Sequence, residues 1–424
     1  MSKALIQVLA WDELVGAVAF DPASGAYAFE YAEAWRKSGR QLAPFMMPLE
    51  SKRIFSFAAL PPSFNGLPGL LADALPDSFG NTLINAWMAK HGVRESEITP
   101  LDRLAYMGKR GLGALEFKPA LAAAVESARP IEMKSVVEAA RLAIRGDLSG
   151  GGRTSAALAD IIRLGTSAGG ARAKAVIAWN PSTSEIRSGQ FDVSPGFEHW
   201  ILKFDGVGKD MALGTSADYG RIEYAYHLMA TKAAGIEMSP CRLLHEDGRA
   251  HFMTRRFDRE QNQKHHVQSL GALLHLDYQQ REANAYEQWF IAIKQLNLGD
   301  GALEQALRRM AFNVAARNCD DHVKNTGFRL KQGGAWELAP AYDVTHAHNP
   351  GNIWTRQHLM SVNGKFDAIG RDDLLAVADR FSIPNAKRAL GDVRAAIDNW
   401  REYAREAGVG PAAADQIAAD FSPI

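Results

Sequence analysis

Two β-rich runs between Val15 and Tyr31 flank Asp21-Pro22-Ala23-Ser24-Gly25, a cluster suited to a tight reversal, so the pattern predicts a hairpin. The N-terminal region therefore opens with a small sheet. From Asn81 to Lys90, Leu83, Ile84, Trp87 and Met88 recur at helical spacing. Asp77 or Ser78 can cap this helix, and His91-Gly92 stops it. Residues 120–148 read as Ala-rich helical stretches broken at Pro130, and 149–155 is rich in Gly and Ser, which suggests a boundary. Beyond it the pattern predicts strands at 174–179 and 199–204, a helix from Asp218 to Ala234, a strand at 250–256, and mostly helix to the end. No internal repeat is present. The fold class expected is α+β, with a small β-rich lobe ahead of a mostly helical one.

A chain of 424 residues, 47% hydrophobic and 23% charged, can bury a full core. Its 48 basic and 48 acidic residues cancel, so the overall field gives no reason to expect independent binding to DNA or to an anionic membrane. Cys241 and Cys319, the only cysteines, cannot build a disulfide framework or a four-thiolate zinc site, and they fit a reducing cytosol. The first sixteen residues carry two acids and lack a long apolar stretch, and no 18-residue apolar run follows. A cytoplasmic location without membrane attachment is expected.

The segment Arg317 to Asp343 carries the chemistry. Phosphoryl transfer needs an acid to accept a hydroxyl proton and oxygen ligands to hold Mg²⁺ on the phosphates. Asp320 and Asn325 lie five positions apart, the spacing of the Asp and Asn in a protein-kinase catalytic loop. Asp343, beyond a hairpin predicted to turn at Gly333-Gly334, takes the place of the metal-holding DFG aspartate of a protein kinase. A kinase also needs a glycine-rich cover for the phosphates, and residues 163–174 (RLGTSAGGARAK) supply one. Lys203 lies in a strand-like run where a lysine is costly unless it meets a charge. Glu223, on the helix whose apolar face includes Ile222, Tyr226 and Met229, is its expected partner.

The runs Asp320-Asp321-His322-Val323-Lys324-Asn325 and Leu338-Ala339-Pro340-Ala341-Tyr342-Asp343 resemble the D-x-H-x-K-N and L-x-P-x-Y-D elements of the HipA family of serine/threonine kinase toxins. LPDSFG at 75–80, GKRGLGAL at 108–115 and RFDR at 256–259 also look like family motifs, so the resemblance spans nearly the whole chain. It implies a two-lobed kinase fold related to phosphoinositide kinases, divided into an N-terminal subdomain (1–118), a helical connector (119–155), an ATP-binding part (156–258) and a helical catalytic lobe (259–424). Asp320 would be the general base, and Asn325 and Asp343 the Mg²⁺ ligands. His322 and Lys324 would support the loop and the phosphates, with Tyr342 beside them. ATP would meet Gly169, Gly170, Ala171, Arg172, Ala173 and Lys174 at the phosphate loop, Lys203 and Glu223 in the cleft, and Arg255, Arg256 and Phe257 at the adenine hinge. The chain departs from a family member at Arg255, where that protein has an acid, and at Arg172-Ala173, where it has Gln-Glu.

The resemblance further implies autophosphorylation at Ser167 in the glycine-rich loop, with Thr166 as its neighbour. The implied partners are a protein substrate and a HipB-like helix-turn-helix antitoxin, with DNA reached only through that antitoxin. Two other readings compete. Asp320, Asp321, His322, Asp343, His346 and His348 could hold a transition metal for phosphoester hydrolysis. A non-catalytic co-repressor would not need the acidic and amide groups that the segment retains.

Overall fold

In the computed structural model the described residues are 4–121, 173–206 and 218–424, with 134, 137, 138 and 140. They divide into two units. The first comprises residues up to Gly208 with Arg255–Leu276 and Arg329–Ala335, and the second Lys209–Thr254, Asp277–Phe328 and Trp336–Ile424.

The first unit opens with an antiparallel sheet of β1 (Leu5–Ala10), β2 (Glu13–Asp21), β3 (Ala26–Tyr31), β4 (Ile54–Ser56) and β5 (Leu115–Lys118), in the order β4-β3-β2-β1-β5. The predicted hairpin is β2–β3. Its reversal closes where Gly25 N–H donates to the Asp21 carbonyl (2.9 Å), while the Asp21 carboxylate accepts from Ala23 N–H and the Ser24 hydroxyl. Ile6, Val8, Val18, Phe29, Phe55 and Phe117 are buried in its core. The helix expected from Asn81 begins at Ser78, because Asp77 accepts from Gly80 N–H (2.7 Å) and so satisfies a donor of the first turn. It runs to Lys90.

Further along, β6 (Lys174–Trp179) pairs antiparallel with β7 (Ile186–Ser188) on one side and β8 (Glu198–Lys203) on the other. The register sets Lys174 directly opposite Lys203. Two sequence motifs with no obvious link meet in this unit. The Asp258 carboxylate of RFDR accepts from Arg256 (2.9 and 2.7 Å), from Arg259 (2.6 Å) and from Gly113 N–H of GKRGLGAL (2.8 Å). Both guanidinium groups also donate to the Gly111 carbonyl. Burial alone would raise the Asp258 carboxyl, yet the two arginines hold it well below the usual carboxylate range.

The second unit contains the hairpin of β9 (Cys241–Glu246) and β10 (Arg249–Arg255, paired through Thr254), with the helix Tyr219–Lys232 packed beside it. Gly220 makes that packing possible, since a Cβ there would lie 2.0 Å from the Ala250 carbonyl oxygen. The helix Gly299–Ala315 leads to the segment that carries the chemistry. The expectation of mostly helix beyond 256 holds for 286–315 and 371–420 but not for 257–285, where four short strands flank or precede one five-residue helix, nor for 316–370, where only short strands form. The latter stretch is dense in Asn, Asp, Gly and Pro, which favour turns over a continued helix. The segment 120–148 lies largely outside the described residues.

Candidate active site

The loop after Ala315 is fixed mainly by its own backbone and by short polar side chains. Cys319 N–H donates to the Ala347 carbonyl (3.0 Å), and Asn325 N–H donates to the His322 carbonyl (2.8 Å), closing a turn over 322–325. Asn325 Nδ2 donates to the Asp320 carbonyl (2.8 Å), so the amide is held and its Oδ1 is the end left for a cation. The Asp320 side chain is 51% exposed, with His322 Nε2 at 3.7 Å from Oδ1. A carboxylate this open on a fixed loop can reach the hydroxyl of a second molecule.

The L-x-P-x-Y-D run returns to the same loop. Ala339 N–H donates to the Gly327 carbonyl (3.1 Å), and the Tyr342 hydroxyl donates to the Lys324 carbonyl (2.8 Å), which ties the two motifs together. Asp343 has φ 52°, a left-handed conformation that a short polar side chain tolerates and a β-branched one does not. Asp343, Asn325, Tyr342, Thr326, Asn318 and Arg309 line one narrow cleft. Lys324 Nζ sits 5.2 Å from the centre of the Tyr278 ring, which also lies against His322.

Behind Asp320 a buried polar chain forms that no local pattern announces. The Asp321 side chain is fully buried and accepts from the Tyr286 hydroxyl (2.8 Å), from His358 Nδ1 (2.8 Å) and from Leu359 N–H (2.7 Å). Burial opposes charge on His358, but the Asp321 carboxylate outweighs it and raises the imidazole to about 10. Asn313 Nδ2 donates to the Tyr286 oxygen (2.9 Å), and Asn318 Nδ2 donates to Asn313 Oδ1 (3.0 Å) and the Asp343 carbonyl (3.4 Å). His358 lies 37 residues from Asp321 and Tyr286 lies 35 away, so spacing could not have paired them.

The remaining predicted residues fall as follows. Gly169, Gly170, Ala171, Arg172 and Ser167 lie outside the described residues, and Ala173 is buried just ahead of β6. Lys174 is 4% exposed, with its ammonium 3.6 Å from Asp77 of LPDSFG. Lys203 ends β8 in the first unit, whereas Glu223 is buried on the helix Tyr219–Lys232 in the second. At the expected hinge, Arg256 is buried in the cluster around Asp258, and the Phe257 carbonyl accepts from Arg329 (2.8 Å). Arg255 is half exposed, 3.5 Å from Glu198.

The metal-hydrolase grouping does not assemble as one cluster. His346 and His348 meet Asp420 at 2.9 and 3.3 Å, Asp321 meets His358, and His322 meets Asp320. Arg317 lies 2.7 Å from His348 Nε2 and must donate there, which leaves the proton on Nδ1, the nitrogen that faces Asp420. A metal would need that nitrogen unprotonated. The oxygen donors of Asn325 and Asp343 on one cleft instead suit a hard cation such as Mg²⁺.

Comparison with known proteins bears on the whole chain. Residues 6–118 match the HipA N-terminal domain, and residues 166–419 match the HipA-like C-terminal domain. Among solved structures, the HipA of Shewanella oneidensis MR-1, in a complex with HipB and operator DNA, shares the fold at a TM-score of 0.67 and 18% identity. The similarity covers 98% of this chain and 94% of that one. The proinflammatory kinase CtkA of Helicobacter pylori aligns over 53% of this chain and 88% of its own, at 14% identity and a TM-score of 0.34. No curated protein sequence gives a match.

Proposed function

Because the chain belongs to the HipA family over both of its matched domains, we propose that it is an ATP- and Mg²⁺-dependent serine/threonine protein kinase acting as the toxin of a toxin–antitoxin pair. The observation that carries this reading is the joint placement of Asp320, Asn325 and Asp343. The first is open on a fixed loop, and the other two line one cleft beside it. Asp320 accepts the proton of the substrate hydroxyl as general base. Asn325 and Asp343 would hold Mg²⁺, whose positive charge would offset the charge that develops on the phosphate oxygens. In this reading Lys203 and Glu223 both serve the nucleotide, and residues 169–174 are its phosphate loop.

The partners in this reading are a protein substrate and a HipB-like helix-turn-helix antitoxin, named from the complex of the Shewanella protein. The chain's net charge of zero agrees with DNA contact made through the antitoxin. No helix among the described residues is long and apolar enough to cross a membrane, and the reading places the protein in the cytoplasm. Ser167 is the site of self-modification, since a phosphate bearing about −1.5 to −2 charges in that loop would repel the nucleotide.

The test is incubation of the purified protein with labelled ATP, Mg²⁺ and whole-cell lysate, followed by phosphosite mapping. Wild type should label a lysate protein and Ser167, whereas Asp320→Ala should label neither. Label transferred by Asp320→Ala at the wild-type rate would overturn the assignment of the base.

A further inference from the structure

The buried chain behind Asp320 has no place in the proton and metal chemistry just described, yet it touches both ends of it. One end is Asp321, the neighbour of the base. Its carboxylate takes three donors from two separated stretches of chain, Tyr286 on one and His358 with Leu359 on the other, so the backbone at 320–321 has little freedom to shift. The other end is the carbonyl of Asp343, held by Asn318. Asn318, Asn313 and Tyr286 connect the two ends through hydrogen bonds of 3.0, 2.9 and 2.8 Å. Burial and the Asp321 carboxylate both raise the Tyr286 phenol, so it stays protonated and serves as the donor to Asp321.

We propose that Asp321, Tyr286, Asn313 and Asn318 form a positioning relay that sets the distance between the base, Asp320, and the metal-holding Asp343, with His358 as its fixed counter-charge. None of the four takes a proton from substrate. The inference rests on the reading of Asp320 as general base. Its physical basis is that displacing a reacting group by about 1 Å costs roughly 100-fold in rate, while binding groups elsewhere are untouched. A chain of hydrogen bonds anchored on the buried Asp321 and Tyr286 and running past the half-buried Asn313 to the wall of the cleft is a stiff spacer of the kind that holds such a distance.

The experiment compares Tyr286→Phe, Asn318→Ala and the double variant with wild type for kcat, for the KM of ATP and for thermal unfolding. Tyr286→Phe removes one hydroxyl and keeps the ring, so it should fold. Its kcat should fall roughly 10- to 100-fold, with the KM for ATP within about twofold of wild type, because ground-state binding is unchanged. The double variant should be no slower than the slower single variant, since each breaks the same chain. A role confined to folding would lower the unfolding temperature and leave kcat unmoved well below it, and that outcome overturns the relay. Multiplying losses in the double variant would overturn it as well. If wild type transfers phosphate and Tyr286→Phe matches it, the relay is wrong and the kinase reading stands. If Asp320→Ala matches wild type, the kinase reading fails and takes the relay with it.

Discussion

Asp343 occupies a backbone conformation that narrows what can replace it. At φ 52° an asparagine is tolerated nearly as well as an aspartate, whereas a valine would be strained by about 1–3 kcal/mol. Asp343→Asn is therefore the clean probe, because it keeps backbone and volume and removes the charge. Phosphotransfer should drop at least about 100-fold with the unfolding temperature nearly unchanged, and a variant that transfers at the wild-type rate would remove Asp343 from the centre. Asp258 presents the opposite case. Its carboxylate neutralises two buried guanidinium groups, so Asp258→Ala should cost about 3–5 kcal/mol of stability, measured by chemical unfolding. Asp320, Asn325 and Asp343 were legible because the chemistry depends on their spacing along one loop and the turn after it. The partners of Asp321 were not, because they come from two distant stretches of chain, at Tyr286 and at His358-Leu359, brought there by packing.

At the scale of elements, the two lysines of β6 and β8 sit opposite each other yet should respond differently. Lys174 is buried beside Asp77, so Lys174→Ala removes a buried counter-charge from that carboxylate and should cost about 3–5 kcal/mol. Lys203→Ala should chiefly weaken ATP binding, read by nucleotide titration at a temperature where both variants are folded. Equal losses of stability in the two would count against this division. Helix position is equally specific. Gly220 lets the helix Tyr219–Lys232 lie against the Ala250 backbone, and Glu223 sits one turn later. Gly220→Ala must push the helix outward, and both stability and nucleotide affinity should fall. An unchanged unfolding temperature would contradict the close approach. Periodicity revealed this helix, the first hairpin and the helix at Ser78, where local pattern and burial agree. It failed over 316–370, where tertiary hydrogen bonds rather than a repeating pattern set the path.

At the scale of the whole molecule, charge and pH define a window of stability. Burial lowers His199, His227, His266 and His275 to about 4, below the roughly 6.5 of an unfolded histidine. Their neutral forms favour the fold above 6.5, and that contribution is lost as pH falls toward 4. His358 behaves in reverse. With its value raised to about 10, its pairing with Asp321 contributes fully below 6.5 and fades as pH rises through 10. The unfolding temperature should therefore peak near neutrality, and His358→Gln should flatten the alkaline limb alone. An alkaline limb identical to that of wild type would show that the pair adds nothing. The fold class followed from the order of β-rich and helical runs, but the division into units did not, since segments far apart in sequence join the same unit. The chain passes from one unit to the other at 208/209, 254/255, 276/277, 328/329 and 335/336. On the ribosome, then, the first unit cannot be completed until residue 335 has emerged, by which point much of the second has already been made. A chain that stops short of 329 leaves both units incomplete, so synthesis interrupted before that point yields no half-protein with a finished fold.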